Sequence, residues 1–383
     1  MDLQLDKIAF SRSAKKMQDF YDLTPGAPIY LKEFCYYTED TWIADGILEP
    51  DDGTFDYDIY LRRKFGFDEK VIHTLTGLGG CEAGMDPMFE VKILEDRGKY
   101  ELVQDYAGRS VLYFKGRRDG FMPTYVDHPV KDMDSWERNI KWRMDPSSPG
   151  REKHAKWDIE QALKMRQNGG FVCQLVVGGY MYLRSLIGGE ELLYMFYDDP
   201  ELIHECMRTW LELADARMAY HQQFVKFDEL LFDEDICYNM GPLISPDMMR
   251  EFLFPYYQQL IENVKKRNGG RHMRVQLGTD GRIEAVIDLY KSVGFDYFGP
   301  CEVASGTDVV RMGREHPDIL ITGGIDKRII AQGGDAIKRH LEYIMPAMRQ
   351  RGGYIPTCDH GVPAEVTIEN YLLFRKLLKE YCE

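Results

Sequence analysis

FVCQLVVGG (171–179), DPELIHECMRTWLELADARMAYHQQF (199–224) and ELLFD (229–233) follow one another as a short apolar run, a long amphipathic run and a second apolar run. The first reads as a buried strand. Asp199-Pro200 opens a helix, with aspartate at the N-cap and proline at the first helical position. ELLFD is a second strand, and Ser245-Pro246 opens another helix through Arg267. HMRVQLG (272–278), FDYFG (295–299), DILITGG (318–324) and GYIPT (353–357) read as further strands. Each precedes a helical pattern: RIEAVIDLYKSV, DVVRMGREH, DAIKRHLEYIMPAMRQR and TIENYLLFRKLLKEY. Strands alternating with helices of this length imply parallel pairing. With APIYLKEF (27–34) as an early strand, the pattern predicts a (β/α)8 TIM-type barrel over residues 1–383 as a single unit. A doubly wound open sheet is the alternative, because counting units does not show closure.

Residues 86–130 interrupt the alternation. Their β pattern is broken by the turn signals RGK and YAGR, which predicts an inserted antiparallel meander lying over one mouth of the barrel. A separate small domain is the other reading of this stretch.

Composition narrows the functions. Forty-eight basic against 63 acidic side chains give a net charge of −15, which argues against a nucleic-acid partner. The N-terminus is polar, and no run of about 20 apolar residues predicts a membrane span. Eight scattered cysteines with no CxxC pair suit reduced thiols in a cytoplasm. A homodimer is compatible with all of this.

In a parallel barrel the site gathers where strands end and helices begin. Asp233, Glu234, Asp235 and Cys237 follow the strand at 229–232, and Asp280 follows 272–278. Cys301 and Glu302 follow 295–299, Asp326 with Lys327-Arg328 follows 318–324, and Cys358-Asp359-His360 follows 353–357. Asp280 and Asp326 have an equally good reading as helix caps. Cys173, Cys237 and Cys301 read as small buried hydrophobes, and Lys327-Arg328 as a surface turn. His360 stands out, because its Asp-His-Gly run ends a strand just before a proline.

Several segments are similar to the uroporphyrinogen decarboxylase superfamily, which includes cobalamin-dependent methyltransferases. They are VGGYMYLRSLIGGEELLYMFYDDPELIHECM, DELLFDEDICYNMGPLISPDMMREFLFPYYQQLIENVK, FGPCEVASGTDVV, ITGGIDKR and GGYIPTCDHGVP. The run from Gly241 through Tyr257 is the most specific. The resemblance implies a (β/α)8 barrel with a mouth-facing site. The decarboxylases grip an octa-anionic porphyrinogen with an arginine-rich N-terminal segment, but residues 27–43 here contain no arginine. Burying those carboxylates unpaired would be costly. The methyltransferase branch carries zinc on a His-x-Cys pair and a later cysteine. Here the pair's strand reads Arg274-Val275-Gln276-Leu277-Gly278, and the later cysteine's position falls on His360.

These comparisons make the expected function methyl transfer from a small methylated donor, such as a methoxy-aromatic, to a corrinoid (cobalamin) carried by a partner protein. The expected catalytic groups are His360, Asp280, Glu302 and Asp235, with Tyr180, Tyr238, Asp326 and Arg184 binding substrate. Asp280, Glu302 and His360 also form a candidate zinc set, since imidazole and carboxylates bind that ion. One rival is a decarboxylase or lyase for a small carboxylic acid or tetrapyrrole, with His360 as proton donor and Arg184 or Arg328 on the carboxylate. Another is a non-catalytic barrel that binds a ligand and regulates a partner.

Overall fold

The computed structural model describes residues 11–116 and 123–382. Seven parallel strands form its main sheet: β1 (Ile72–Leu75), β6 (Phe171–Val177), β7 (Glu229–Asp233), β10 (Arg274–Gly278), β11 (Tyr297–Cys301), β12 (Leu320–Gly323) and β13 (Tyr354–Ile355). They pair in that order, so each strand lies beside its predecessor in the sheet. Helices return the chain between them. The longest, Pro200–His221, starts where the sequence predicts: the Asp199 carboxylate accepts the Leu202 N–H at 3.1 Å.

The stretch after Ser245 is less regular than expected. Ser245 caps Met248, but residues Met249–Leu253 then form a π turn before the helix Phe254–Arg267. Pro255 has no N–H to give the carbonyl one turn earlier, and the wider turn accommodates that missing bond.

The predicted barrel is only partly realised. The sheet curls, but among the described residues no strand ladder joins β13 back to β1. Residues 29–38 span that gap. The expected strand 27–34 lies there without becoming one, because carboxylates take the places of rungs. Leu31 donates its N–H to Asp68 Oδ2 at 2.7 Å, and Cys358 donates its N–H to Glu33 Oε1 at 2.8 Å. One isolated bridge, between Tyr36 and Val362, is the strand-type contact of this stretch among the described residues.

The helix Arg12–Tyr21 plugs the end where the strands begin. Phe20 meets Tyr297 edge-on at 5.4 Å between ring centroids, and Tyr21 meets Phe171 at 5.2 Å. Ala14, Met17, Leu320 and Ile355 complete this apolar floor. The opposite end is therefore the open mouth.

The meander forms as predicted, between β1 and β6. β2 (Lys92–Arg97), β3 (Tyr100–Gln104), β4 (Ser110–Phe114) and β5 (Thr124–Asp127) make an antiparallel sheet in sequence order. Its turns fall at RGK and YAGR, where Gly98 and Gly108 take positive φ. Residues 117–122, inside the expected meander, lie outside the described residues. The sheet docks through Arg109, which binds Asp105 at 2.7 Å and reaches Glu82, on the loop leaving β1, at 2.9 Å. A two-stranded hairpin, β8 (Cys237–Tyr238) with β9 (Gly241–Pro242), rises from the end of β7. No helix among the described residues is long and apolar enough to cross a membrane.

Candidate active site

Parallel strands bring their ends to one rim, and His360 meets Asp280 there. The imidazole Nε2 lies 3.2 Å from Asp280 Oδ2. Phe34 and Tyr37 flank the ring, each at 5.4 Å between centroids. The bond to Asp280 raises the imidazole pKa, against an opposing effect of burial, so the charged ring is favoured.

Glu302 is the next acid along the rim. Its Oε2 accepts the Gly281 N–H at 2.8 Å, and Lys327 Nζ lies 3.3 Å from Oε1. Lys327 is thus part of the rim rather than a surface turn. Asp359 is buried behind it and accepts the N–H groups of Val303 at 2.9 Å and Lys327 at 3.1 Å. Burial pushes its pKa up, with Lys327 opposing. Asp359 thus holds three rim loops together.

The other half of the rim comes from β7. Arg184, from the helix Gly179–Ile187, pairs with Asp235 at 2.7 Å. Asp235 sits at φ 45°, a conformation uncommon outside glycine that aspartate tolerates better than most residues. Asp233 lies between this pair and Asp280. No hydrogen bond or ion pair reaches its side chain among the described residues. Burial, followed by the charges of Asp235, Asp280 and Glu82, pushes its pKa up to about 6. Glu234 differs: it accepts from Tyr257 Oη at 2.6 Å and Tyr180 N–H at 3.0 Å, and burial moves it to about 8. It serves the packing beneath the mouth.

The remaining expected residues separate into two groups. Tyr180 is buried on the same helix as Arg184, and burial raises its phenol to about 12. Tyr238 is exposed on the hairpin, where its carbonyl accepts the Arg282 N–H at 2.9 Å. Asp326, expected to bind substrate, instead caps the helix Lys327–Gln332 through the Arg328 N–H at 2.8 Å and holds the Arg328 guanidinium at 2.8 Å. Both its oxygens are committed locally.

The candidate zinc residues Asp280, Glu302 and His360 lie on the same rim. Among the described residues no three His, Cys, Asp or Glu side chains form a metal centre. His360 and Asp280 bind each other, while both Glu302 oxygens are engaged elsewhere. Cys358 is buried, its thiol pKa raised first by burial and then by Glu33. Cys173, Cys237 and Cys301 are buried, as expected.

Sequence reasoning passed over Asp233 in favour of Asp235. Strand alternation carried the signal. Phe232 packs outward on Trp210 of the helix Pro200–His221, so its neighbour Asp233 faces the barrel interior.

Residues 161–381 match the family model for uroporphyrinogen decarboxylase (URO-D). The uroporphyrinogen decarboxylase of Hydrogenovibrio crunogenus is 24% identical over 189 residues, 49% of this chain and 50% of the relative. That of Actinobacillus pleuropneumoniae is 22% identical over 194 residues, 49% and 51% of the two chains. The chain spans about half the length of the curated relatives it matches. Among solved structures, a methyltransferase from Methanosarcina mazei aligns over 97% of this chain and 99% of its own, at 12% identity and a TM-score of 0.59. That likeness is one of fold.

Proposed function

This chain belongs to the uroporphyrinogen decarboxylase family, and on that premise we propose that it moves a methyl group from a small methylated donor, foremost a methoxy-aromatic, to a corrinoid on a partner protein. The observation that carries this reading is the His360–Asp280 pair set between two aromatic rings. The charge of the rim supports it. Arg184 and Lys327 are already paired with carboxylates, and Asp233 has no partner, so a polyanionic porphyrinogen would meet uncompensated negative charge. A neutral ether escapes that penalty. The methyltransferase activity named for the Methanosarcina mazei structure is extended to this chain only as part of this proposal.

A reduced corrinoid supplies the nucleophile that takes the methyl group. The chain supplies the rest. Phe34, Tyr37, Tyr238 and Met240 expose apolar surface around the mouth, which suits the flat face of a macrocycle and the ring of a donor. With Nε2 held by Asp280, the imidazolium offers its Nδ1 proton to the departing oxygen. Asp280 then stabilises the ring's orientation and tautomer. No step is routed through zinc.

Incubating the protein with cob(I)alamin and a panel of methoxylated aromatics, and following methylcobalamin by absorbance, tests the proposal. Methylation from at least one donor is expected. A flat response across the panel, with active corrinoid controls, overturns it. The second reading is decarboxylation of a small acid, favoured by Asp233, a carboxyl poised near neutrality with nothing bonded to it. Carbon dioxide release from a panel of small carboxylic acids would select that reading.

A further inference from the structure

A cavity of about 750 Å³ lies outside the mouth, in the layer of helices. The loop leaving β1, the first turns of the helix Pro149–Gln167 and the last turns of the helix Pro200–His221 enclose it. The loop is a shared wall. A Cβ built on Gly80 would face Asp233 of the mouth at 3.8 Å, while one on Gly77 would meet the His154 ring of the cavity at 3.1 Å.

Two arginines line this cavity, Arg151 at 7% and Arg217 at 8% exposure. Neither forms an ion pair with a carboxylate among the described residues. Arg151 donates to the carbonyls of Asp145 at 3.0 Å and Arg143 at 2.8 Å. Arg217 reaches only the Pro146 carbonyl, at 3.5 Å, and stacks over Tyr220 at 4.8 Å. Two other buried arginines are ion-paired: Arg109 with Asp105 and Glu82, and Arg166 with Asp228. Burial pushes Arg151 down to about 10, and the charge of Arg217 adds to the shift. Asp86, whose carboxylate Ser148 holds, and Asp145 are the acids acting on Arg151, and Glu152 acts on Arg217. These acids act on the two guanidiniums only from beyond ion-pair distance. Buried cations of this kind call for a counter-ion.

The other walls are mainly apolar, from Leu78, Met85, Met88, Tyr106 and Leu175, with Thr76, His154 and Glu82, which is paired with Arg109. His221 adds an acceptor. Gln174 donates its amide N–H to the Leu75 and Leu175 carbonyls, so its oxygen faces His221 Nδ1 at 2.7 Å and that nitrogen carries the hydrogen. Burial lowers the ring to about 4, which leaves Nε2 an uncharged acceptor at neutral pH.

We propose that this cavity binds a small organic monocarboxylate, with its carboxylate on Arg151 and Arg217 and its apolar body against Leu78, Met85 and Tyr106. The planar fork of arginine matches that group bidentately. The apolar walls favour an organic body over bare phosphate. The site stands independently of the chemistry proposed for the mouth.

Isothermal titration of the full chain with benzoate, hexanoate, the neutral isosteres benzamide and hexanamide, and inorganic phosphate tests this. At least one carboxylate should bind saturably at one site, at least tenfold tighter than its amide and tighter than phosphate. Arg217→Gln should weaken that binding at least tenfold, while His360→Ala, in the mouth, should leave it unchanged. If Arg217→Gln does not fold, Arg217→Lys should still lose binding, because it keeps the charge but not the fork. The proposal is overturned if no carboxylate binds, if the amides bind equally well, if phosphate binds more tightly, or if His360→Ala rather than the Arg217 variant removes the signal.

Discussion

Strand β7 carries a carboxylate at each end, and the two are treated in opposite ways. Glu229, at the floor, accepts from Tyr21 Oη at 2.8 Å and lies 3.5 Å from the Cys173 thiol, beneath the apolar plug. Asp233, four residues on and on the same face of the strand, has no bonded partner and stands among other acids. Burial raises the pKa of both. The difference lies in satisfaction: a buried acid with partners stabilises the fold, whereas one without partners raises the free energy of the folded state and remains available to a ligand.

Substitution at the mouth should be felt in turnover. His360→Ala should lower methyl transfer by roughly 10²–10⁴-fold, the range for loss of a general acid, with little change in melting temperature. Asp280→Asn should move the basic limb of the pH–rate profile to lower pH, because the bond that raises the His360 pKa is weakened. The sign is fixed by linkage. Stability from the raised imidazole is present below its unfolded value near 6.5 and is lost as pH rises through the folded value. An unmoved limb would remove His360 from the role of acid.

The floor should answer in stability instead. Glu229→Ala leaves the Tyr21 hydroxyl without its acceptor in the apolar plug and should cost about 3 kcal/mol by urea denaturation. Asp233→Asn should do the reverse. An acid held near 6 gives the fold stability below about pH 4 that is lost as pH rises through 6. Its amide should therefore gain about 2 kcal/mol relative to the parent above pH 6 and flatten the decline between pH 4 and 6. Equal behaviour of the two variants would erase the contrast. The smallest effect belongs to the rim: Tyr238→Ala should change stability by less than about 0.5 kcal/mol, since the side chain is exposed, while weakening capture of the corrinoid partner.

The strands after residue 170 and their order could be read from the sequence, because each is a compact apolar run bounded by turn residues. Closure could not. It turns on whether the carboxylates of Asp68 and Glu33 displace backbone rungs, and these residues are distant in sequence from the groups they bind. The approach of His360 to Asp280 followed from parallel strand ends alone. The roles of Lys327 and Asp359 did not, because a lysine after a strand reads the same whether it faces solvent or bridges two acids. The two cavity arginines carried no sequence signal either: they lie on separate helices, Pro149–Gln167 and Pro200–His221, with β6 between them in the chain.

The aromatic plug has a consequence for biosynthesis. Its helix, residues 12–21, leaves the ribosome well before Tyr297, Leu320 and Ile355, with which it packs. During translation the apolar face of that helix must therefore wait without most of its native cover, and it is settled only when the last strand has been synthesised. Chaperone demand for this protein should accordingly be greatest in the interval before residue 355 leaves the exit tunnel.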